Sequence, residues 1–354
     1  MTNAVVTGGA GFIGSSLVRR LKERGWNVVV IDAFTYAACE ENLAGVIGDA
    51  SCSLVAGSIG DRALVADVLA SCRPDLIFNL AAETHVDRSI DAPEDFFATN
   101  VVQTVAFLDM CRIYWRGLDA QTAGRFRVVH VSTDEVYGSV SQGQADEAAP
   151  LLPNSPYAAS KAGGDMAVRS FQRTYGLPAV VTRGSNTFGP RQFPEKLIPR
   201  MILSALDGRT LPVYGDGAHE RDWMHVDDHV GGIVAAAERG RCGEIYNLGA
   251  GSGLTNIELV RALCATLDRV RPRAGGGSYR DSIAFTADRP GHDRRYALDC
   301  RKAASELDWR PSYILSKGLA ATVDWYLDHA DWWQPILEGR YSLERLGLID
   351  EAAK

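Results

Sequence analysis

The sequence predicts an α/β fold class, a doubly wound parallel sheet with a smaller, discontinuous C-terminal substrate lobe. Three observations support this. A glycine-rich turn follows the first apolar run, apolar runs then alternate with helix-period segments, and beyond Gly189 the texture shifts to proline-marked turns before one return to the sheet.

Asn3–Thr7 reads as a strand, followed at once by Gly8-Gly9-Ala10-Gly11-Phe12-Ile13-Gly14 and a helix to about Arg24. Gly8, Gly11 and Gly14 permit a tight turn, close approach of backbone to a pyrophosphate and close packing of helix on strand, with phosphate at the helix N-terminus. A second apolar strand from Asn27 ends in Asp32, whose carboxylate suits two ribose hydroxyls and repels a 2′-phosphate. This Rossmann pattern favours NAD over NADP. Further strands are expected near Ser53–Val55, Leu76–Asn79, Arg127–Val131, Ala179–Arg183 and Glu244–Leu248, and helices near Arg62–Ala70, Pro93–Arg112 and Tyr157–Tyr175. The boundaries follow: residues 1–185 form the dinucleotide-binding domain, with 225–249 returning to it. Residues 186–224 and 250–335 form the second lobe, and 336–354 a C-terminal tail. Arg271–Gly277, with three successive glycines, reads as a surface loop.

Two segments carry candidate chemistry. Val128-Val129-His130-Val131 is an apolar strand that runs into Ser132-Thr133-Asp134-Glu135-Val136-Tyr137-Gly138, so the polar residues open a loop at the strand's end. Pro156 suits the first position of a helix on which Tyr157 and Lys161 share a face at i, i+4. An ammonium beside a phenol favours phenolate, so this pair is expected to take a proton from an alcohol. Thr133 adds a hydroxyl for the same oxygen, and Asp134 and Glu135 offer an acid and a base. A YxxxK or an Asp-Glu turn alone arises often by chance; their order behind a nucleotide-binding start is what points to catalysis. Leu80-Ala81-Ala82-Glu83-Thr84-His85 lies at another strand end, where small alanines let a cofactor lie close, and His85 reads as a hydrogen-bonded positioning residue.

The composition excludes several classes. With 354 residues, 46% hydrophobic content and no apolar run of membrane-spanning length, a cytoplasmic protein with a sizeable core is expected. A net charge of −7 without a basic run argues against nucleic acid as partner. Seven dispersed cysteines without CxxC indicate neither a disulfide framework nor a zinc site, and no metal is expected.

Taken together, Thr7–Gly14, Asp32 with Thr35-Tyr36-Ala37, Ala81–Ser89, Ser132–Gly138, Phe193–Pro199 and Asp288–Asp293 resemble the extended short-chain dehydrogenase/reductases, and within them the dTDP-glucose 4,6-dehydratases, over about residues 2 to 328. Asp134 marks the subfamily, since related 4-epimerases and decarboxylases expel no C6 hydroxide and usually lack a carboxylate there. The resemblance implies NAD-dependent oxidation at C4 of a glucosyl unit, loss of water across C5–C6 and hydride return to C6, for deoxysugar biosynthesis. It implies Glu135 as base at C5, Asp134 as acid at C6, and Tyr157, Lys161 and Thr133 at the C4 hydroxyl, with Tyr157 acidified by Lys161 and the nicotinamide charge.

By the same resemblance the cofactor meets Gly8, Gly11, Phe12, Ile13, Gly14, Asp32, Thr35, Ser58, Ile59, Leu80, Ala81, Ala82, Thr99, Tyr157, Lys161 and Asn186. The nucleotide sugar meets Thr84, Thr133, Asn186, Glu195, Lys196, Leu197, Pro212, Tyr214, Arg221, Asn256, Arg289 and His292. Arg221 and Lys196 suit a diphosphate. A homodimer through helices near 93–112 and 157–175 is implied, with Val101, Val105, Leu108 and Val168 as apolar positions for a shared face. Ser58, Thr84 and Thr187-Phe188 depart from the commoner Asp, Ser and Asn-Tyr, which bears on nucleotide and sugar specificity. Alternatives are a UDP- or CDP-glucose 4,6-dehydratase, a 4-epimerase or decarboxylase, and a non-catalytic dinucleotide sensor. The last is disfavoured because the Tyr157/Lys161 pair is intact.

Overall fold

The structure, a computed structural model, describes residues 2–48, 50–344 and 346. The first half runs β1 Asn3–Thr7, α1 Phe12–Glu23, β2 Asn27–Asp32, β3 Cys52–Ala56, α2 Arg62–Cys72, β4 Leu76–Asn79, α3 Val86–Asp91 and α4 Pro93–Phe97. It continues through α5 Thr104–Arg116, α6 Ala120–Ala123, β5 Arg127–Thr133, α7 Pro156–Tyr175 and β6 Ala179–Gly184. The second half comprises β7 Asn186–Phe188, α8 Leu197–Leu206, β8 Leu211–Tyr214, β9 Glu220–His225, α9 Val226–Arg239, β10 Ile245–Leu248 and β11 Gly253–Thr255. It ends with α10 Asn256–Val270, β12 Ile283–Thr286, α11 Arg301–Glu306, α12 Leu315–Asp328 and α13 Ala330–Gly339.

Seven parallel strands form the main sheet in the order β10-β6-β5-β4-β1-β2-β3. Their runs of Val, Ile and Phe are buried on both faces, as a sheet covered by helices on both sides requires. One face packs under α1 and α9 and the other under α2, α5 and α7. The order reverses between β1 and β4. Loops from these two strands therefore splay apart at their carboxyl ends and open a crevice, where such sheets take ligands.

Local chemistry sets the elements around that crevice. Gly11 caps α1 without a side chain, so no residue competes for the N–H groups of its first turn. Ser155 caps α7 at Ala158 N and Pro156 occupies its first turn. The helix expected over Pro93–Arg112 is interrupted by a π turn at Ala98–Gln103. There the Asn100 side chain accepts from Glu83 N and donates to Glu83 O, which ties the turn to the loop after β4.

A second core gathers Phe188, Phe193, Ile202, Trp223, Leu263 and Tyr326 beside a three-stranded sheet β11-β9-β7 and a two-stranded sheet β12-β8. Residues 336–344, expected as tail, instead complete this core: Ile336, Tyr341 and Leu343 are buried in it, and Trp332 donates to Asn42 Oδ1 at 2.9 Å. Their apolar side chains have more to gain from that core than from water. The remainder of the expected tail, from residue 347, lies outside the described residues. Two of the apolar positions expected on a shared outer face also turn inward, since Leu108 and Val168 pack against the sheet. Val102, Val105, Ile113 and Met166 are among the residues exposed there.

Candidate active site

A cavity of about 400 Å³ lies over the switch point, and every residue expected to contact the cofactor lines it. Its floor needs glycine. A Cβ on Gly8 would stand 2.8 Å from Ala81 N, and one on Gly14 would overlap Gly8 O. With the uncapped start of α1, this cradle suits a pyrophosphate. Asp32 sits at the end of β2, with Oδ2 accepting from Ala10 N at 2.8 Å and Oδ1 from Phe34 N at 2.9 Å. Those bonds fix the carboxylate while leaving lone pairs for a ribose. Ser58 donates its hydroxyl to Gln103 Oε1 at 2.8 Å, so it braces the cavity wall.

The candidate catalytic residues converge where this cavity meets a second one. Thr133 ends β5 and caps the 3₁₀ turn Asp134–Tyr137 by accepting from Glu135 N at 3.3 Å. That cap aims the two carboxylates differently. Asp134 is buried, with Oδ1 accepting from Thr133 Oγ1 at 3.1 Å and Oδ2 lacking a protein partner. Burial, then the neighbouring Glu135, hold its pKa well above the ordinary carboxylate range. Burial also raises Glu135, but Arg289, Arg221 and Lys196 work in the opposite direction. Burial thus holds both carboxyls toward their protonated forms, Asp134 the more strongly, and Glu135 is the one that three cations face.

The expected acidification of Tyr157 rests on Lys161 together with the nicotinamide charge, and the protein's own buried surroundings work against it. Tyr157 is 9% exposed, and burial followed by Glu135 raises its pKa, while only a hydrogen bond with Thr133 works strongly the other way. Lys161 instead donates to Val131 O at 2.8 Å. Burial pushes its own pKa down to about 8.

The second cavity, about 180 Å³, is lined by the expected Thr84, Asn186, Glu195, Lys196, Leu197, Pro212, Tyr214, Arg221, Asn256, Arg289 and His292. Lys196 is half-buried before α8 and donates to Thr84 O at 2.6 Å. Arg221 lies over the Tyr296 ring at 4.2 Å and donates to Asp293 O. Glu195 Oε1, Asn186 Oδ1, Asn256 Oδ1 and Arg289 Nε are buried without a protein hydrogen-bond partner, as atoms awaiting a polar ligand would be. His85 caps α3 by accepting from Arg88 N, a positioning role. His219 and His292 stack at 3.6 Å and share Asp288. These three offer ligand atoms within 4.8 Å of one another, yet Arg221 and Arg289 make the surroundings positive, which favours an anion over a metal ion.

Sequence reasoning missed several neighbours. Asp87 accepts from Tyr214 OH and from Arg289 Nη1, both at 3.0 Å, and so orients two residues of the second lobe. Tyr296 OH lies 3.4 Å from Glu135 Oε2, and Tyr341 and Glu344 from the C-terminus also wall the second cavity. Asp87 stood inside a quoted motif and was the one with a signal. Of the departures, Phe188 belongs to the second core, whereas Thr187 lines both cavities and contacts His229 Nδ1 at 2.8 Å.

Comparison with known proteins agrees with this geometry. A family model described as GDP-mannose 4,6 dehydratase matches residues 5–322. The dTDP-glucose 4,6-dehydratase of Xanthomonas campestris pv. campestris (strain B100) is 51% identical over 348 residues, covering 98% of this chain and 99% of its own. The solved structure of DesIV, a dTDP-glucose 4,6-dehydratase from Streptomyces venezuelae with NAD bound, superposes with a TM-score of 0.86 at 47% identity, covering 94% of this chain and 99% of that one. A UDP-glucose 4-epimerase from Thermotoga maritima reaches 0.82 at 30% identity, covering 93% of this chain and all of its own, so the fold is shared more widely than the identity. The carboxylate pair after β5, the Tyr157/Lys161 helix and an identity of about half along nearly the whole length converge: the chain belongs to the dTDP-glucose 4,6-dehydratases of the extended short-chain dehydrogenase/reductase family.

Proposed function

We propose that this chain is an NAD-dependent hydro-lyase that converts dTDP-glucose to dTDP-4-keto-6-deoxyglucose. The single observation that carries this is the buried Asp134 beside Glu135, two carboxyls held at the mouth of a dinucleotide cavity, of which Glu135 faces Arg289, Arg221 and Lys196. NAD, when bound over the glycine cradle, supplies the hydride acceptor for C4 and the donor for C6. Tyr157, as a phenolate that the Lys161 ammonium and the nicotinamide charge of bound NAD would support against the cost of burial, accepts the C4 hydroxyl proton while Thr133 hydrogen-bonds the same oxygen. The resulting ketone acidifies C5–H, which Glu135 removes. Asp134 gives its proton to the departing C6 oxygen as water leaves, and Glu135 returns its proton to C5 as C6 takes the hydride. Each transfer is worth ~10²–10⁴-fold. Arg221, Arg289 and Lys196 lie where cations can meet the diphosphate, and Glu195 and Asn186 offer acceptors for sugar hydroxyls. The 4-epimerase reading leaves Asp134 without a task.

We also infer a homodimer through α5 and α7, because Val102, Val105, Ile113 and Met166 expose apolar surface on that side. A cytoplasmic setting fits the seven free cysteines. Among the described residues no helix is long and apolar enough to cross a membrane. The test of the function is incubation with dTDP-glucose and, separately, UDP-glucose, followed by alkali and an ultraviolet scan for a 4-keto sugar. Product from dTDP-glucose, in excess over UDP-glucose, is expected. Absence of the band from both would overturn the reading, and preference for UDP-glucose would replace the donor. The bases differ by one methyl, worth only ~1–3 kcal/mol, so some activity on both is compatible with the proposal.

A further inference from the structure

Beneath the catalytic pair runs a buried polar thread that the reaction as written does not use. Tyr157, Lys161 and Asp165 follow at i, i+4 and i+8 on α7, along the face that packs on β5 and β6. Asp165 is 1% exposed. Its Oδ2 accepts from Arg183 Nε at 2.8 Å, and Arg183, equally buried on β6, passes a second donor to Tyr137 OH at 2.8 Å. The other oxygen, Oδ1, has no hydrogen-bond partner and faces His130 Nε2 across 3.9 Å.

His130 is itself oriented. Its Nδ1 meets Asn79 Nδ2 at 3.0 Å, and because an amide nitrogen only donates, Nδ1 accepts and the ring proton sits on Nε2, toward Asp165. Asn79 Oδ1 in turn accepts from Thr7 Oγ1 at 2.7 Å, and Thr7 Oγ1 accepts from Ala81 N in the cofactor loop. The thread therefore joins the cofactor loop to the interior side of α7. Gly164 lets the helix settle this close, since a Cβ there would stand 2.9 Å from Asn100 O and 3.2 Å from His130 Nε2.

A buried ion pair adds little stability over apolar residues of the same shape, so stability alone explains this arrangement poorly. We propose that Asp165, seated on Arg183 and His130, is a positioning residue that keeps the Lys161 ammonium charged beside Tyr157. The groups around Lys161 bear this out. Tyr157 precedes it by one turn, His130 faces it from β5, Asp134 and Glu135 lie on the turn after β5 beside Tyr157, and Arg183 stands behind Asp165 on β6. His130 is kept neutral by burial, then by Lys161 itself. Asp165 is the group whose charge opposes the desolvation of Lys161. A neutral amine at position 161 would leave the Tyr157 oxyanion without its adjacent cation.

The inference rests on the proposed dehydration, and the experiment separates the two. NAD-loaded wild type, Asp165→Asn and the double variant Asp165→Asn/Arg183→Met are compared for kcat on dTDP-glucose against pH. The double variant does not strand the Arg183 charge and guards against simple misfolding of the single one, with Arg183→Met as its reference. Loss of a nearby opposite charge is expected to move the alkaline limb to lower pH by about one unit. In parallel, ¹³Cε-lysine NMR follows the titration of Lys161 directly, which the chain's six lysines keep tractable. A lowered midpoint there, matching the kinetic limb, supports the proposal. If wild type fails to dehydrate dTDP-glucose, the functional reading falls by its own test, while the NMR midpoint still decides the role of Asp165. An unchanged Lys161 midpoint in the folded Asp165→Asn protein, or in the double variant relative to Arg183→Met alone, overturns the proposal and leaves Asp165 as the counter-ion of Arg183 alone.

Discussion

Arg88 Nε donates to Glu195 Oε2 at 2.9 Å, joining the α3 segment that follows β4 to the turn that leads into α8. The two parts of the molecule are thus pinned beside the substrate cavity by this ion pair as well as by Asp87–Arg289, and its carboxylate is fully buried while Arg88 lies 3.9 Å over the Tyr36 ring. Arg88→Ala strands the Glu195 charge. It is expected to lower stability by about 2–3 kcal/mol, toward the low end for breaking a buried pair because Arg88 remains 28% exposed. Adding Glu195→Gln should recover part of the loss. Denaturant unfolding of the two single variants and the double one measures this, and strict additivity would show that the pair is not coupled.

The roles proposed for the three proton-transferring residues separate in a single turnover. Asp134→Asn and Glu135→Gln should each oxidise C4 and then stall, so that NADH absorbance builds up while dehydration slows by ~10²–10⁴-fold. Glu135→Gln should also suppress exchange of the C5 hydrogen with solvent. Tyr157→Phe should show no NADH at saturating substrate. A folded Asp134→Asn protein that neither accumulates NADH nor slows would refute the assignment.

The same substitution has a thermodynamic signature. The pKa of Asp134 is raised in the folded state, so folding binds a proton there. Its contribution to stability is present below the ordinary carboxylate range and is lost as pH rises through the raised value. Asparagine does not titrate. Asp134→Asn should therefore gain on wild type as pH rises from 4 to 8, reaching about 1 kcal/mol, the scale of one unsatisfied buried polar group. Thermal unfolding across that range checks it, and a constant difference would contradict the burial argument.

NAD is regenerated in each cycle, and the protein is expected to purify with it bound. Asp32→Ala should lose retained dinucleotide, because the carboxylate bonded by Ala10 N and Phe34 N is the acceptor placed for a ribose. Gly14→Ala should lose it as well, through the overlap with Gly8 O. Extraction and chromatography give the content. Recovery of mainly NADP from wild type would count against the reading of Asp32.

For the proposed dimer, light scattering at micromolar concentration should give twice the chain mass. Val105→Glu and Ile113→Glu, both on exposed positions of α5, should shift it to monomer without unfolding the chain. A monomeric wild type would remove the proposal.

What the sequence alone determined is what short-range pattern encodes. Strand and helix alternation, the glycine turn before α1 and Asp32 at the end of β2 are local features, and backbone sterics and periodicity make them legible. The family-specific segments placed the Thr133–Glu135 turn and the Tyr157/Lys161 helix for the same reason. What only the tertiary structure decided depends on partners distant in sequence. Leu108 and Val168 turn inward because the sheet covers their side of the helices, which a periodic pattern of apolar residues does not reveal. Residues 336–344 join a core built from residues about 150 positions earlier, so they read as tail until that core is seen. The proton affinities were the least legible of all. Tyr157 next to Lys161 looks acidified on a helix drawn alone, but burial and the charge of Glu135 raise its pKa once β5 and its turn close over it.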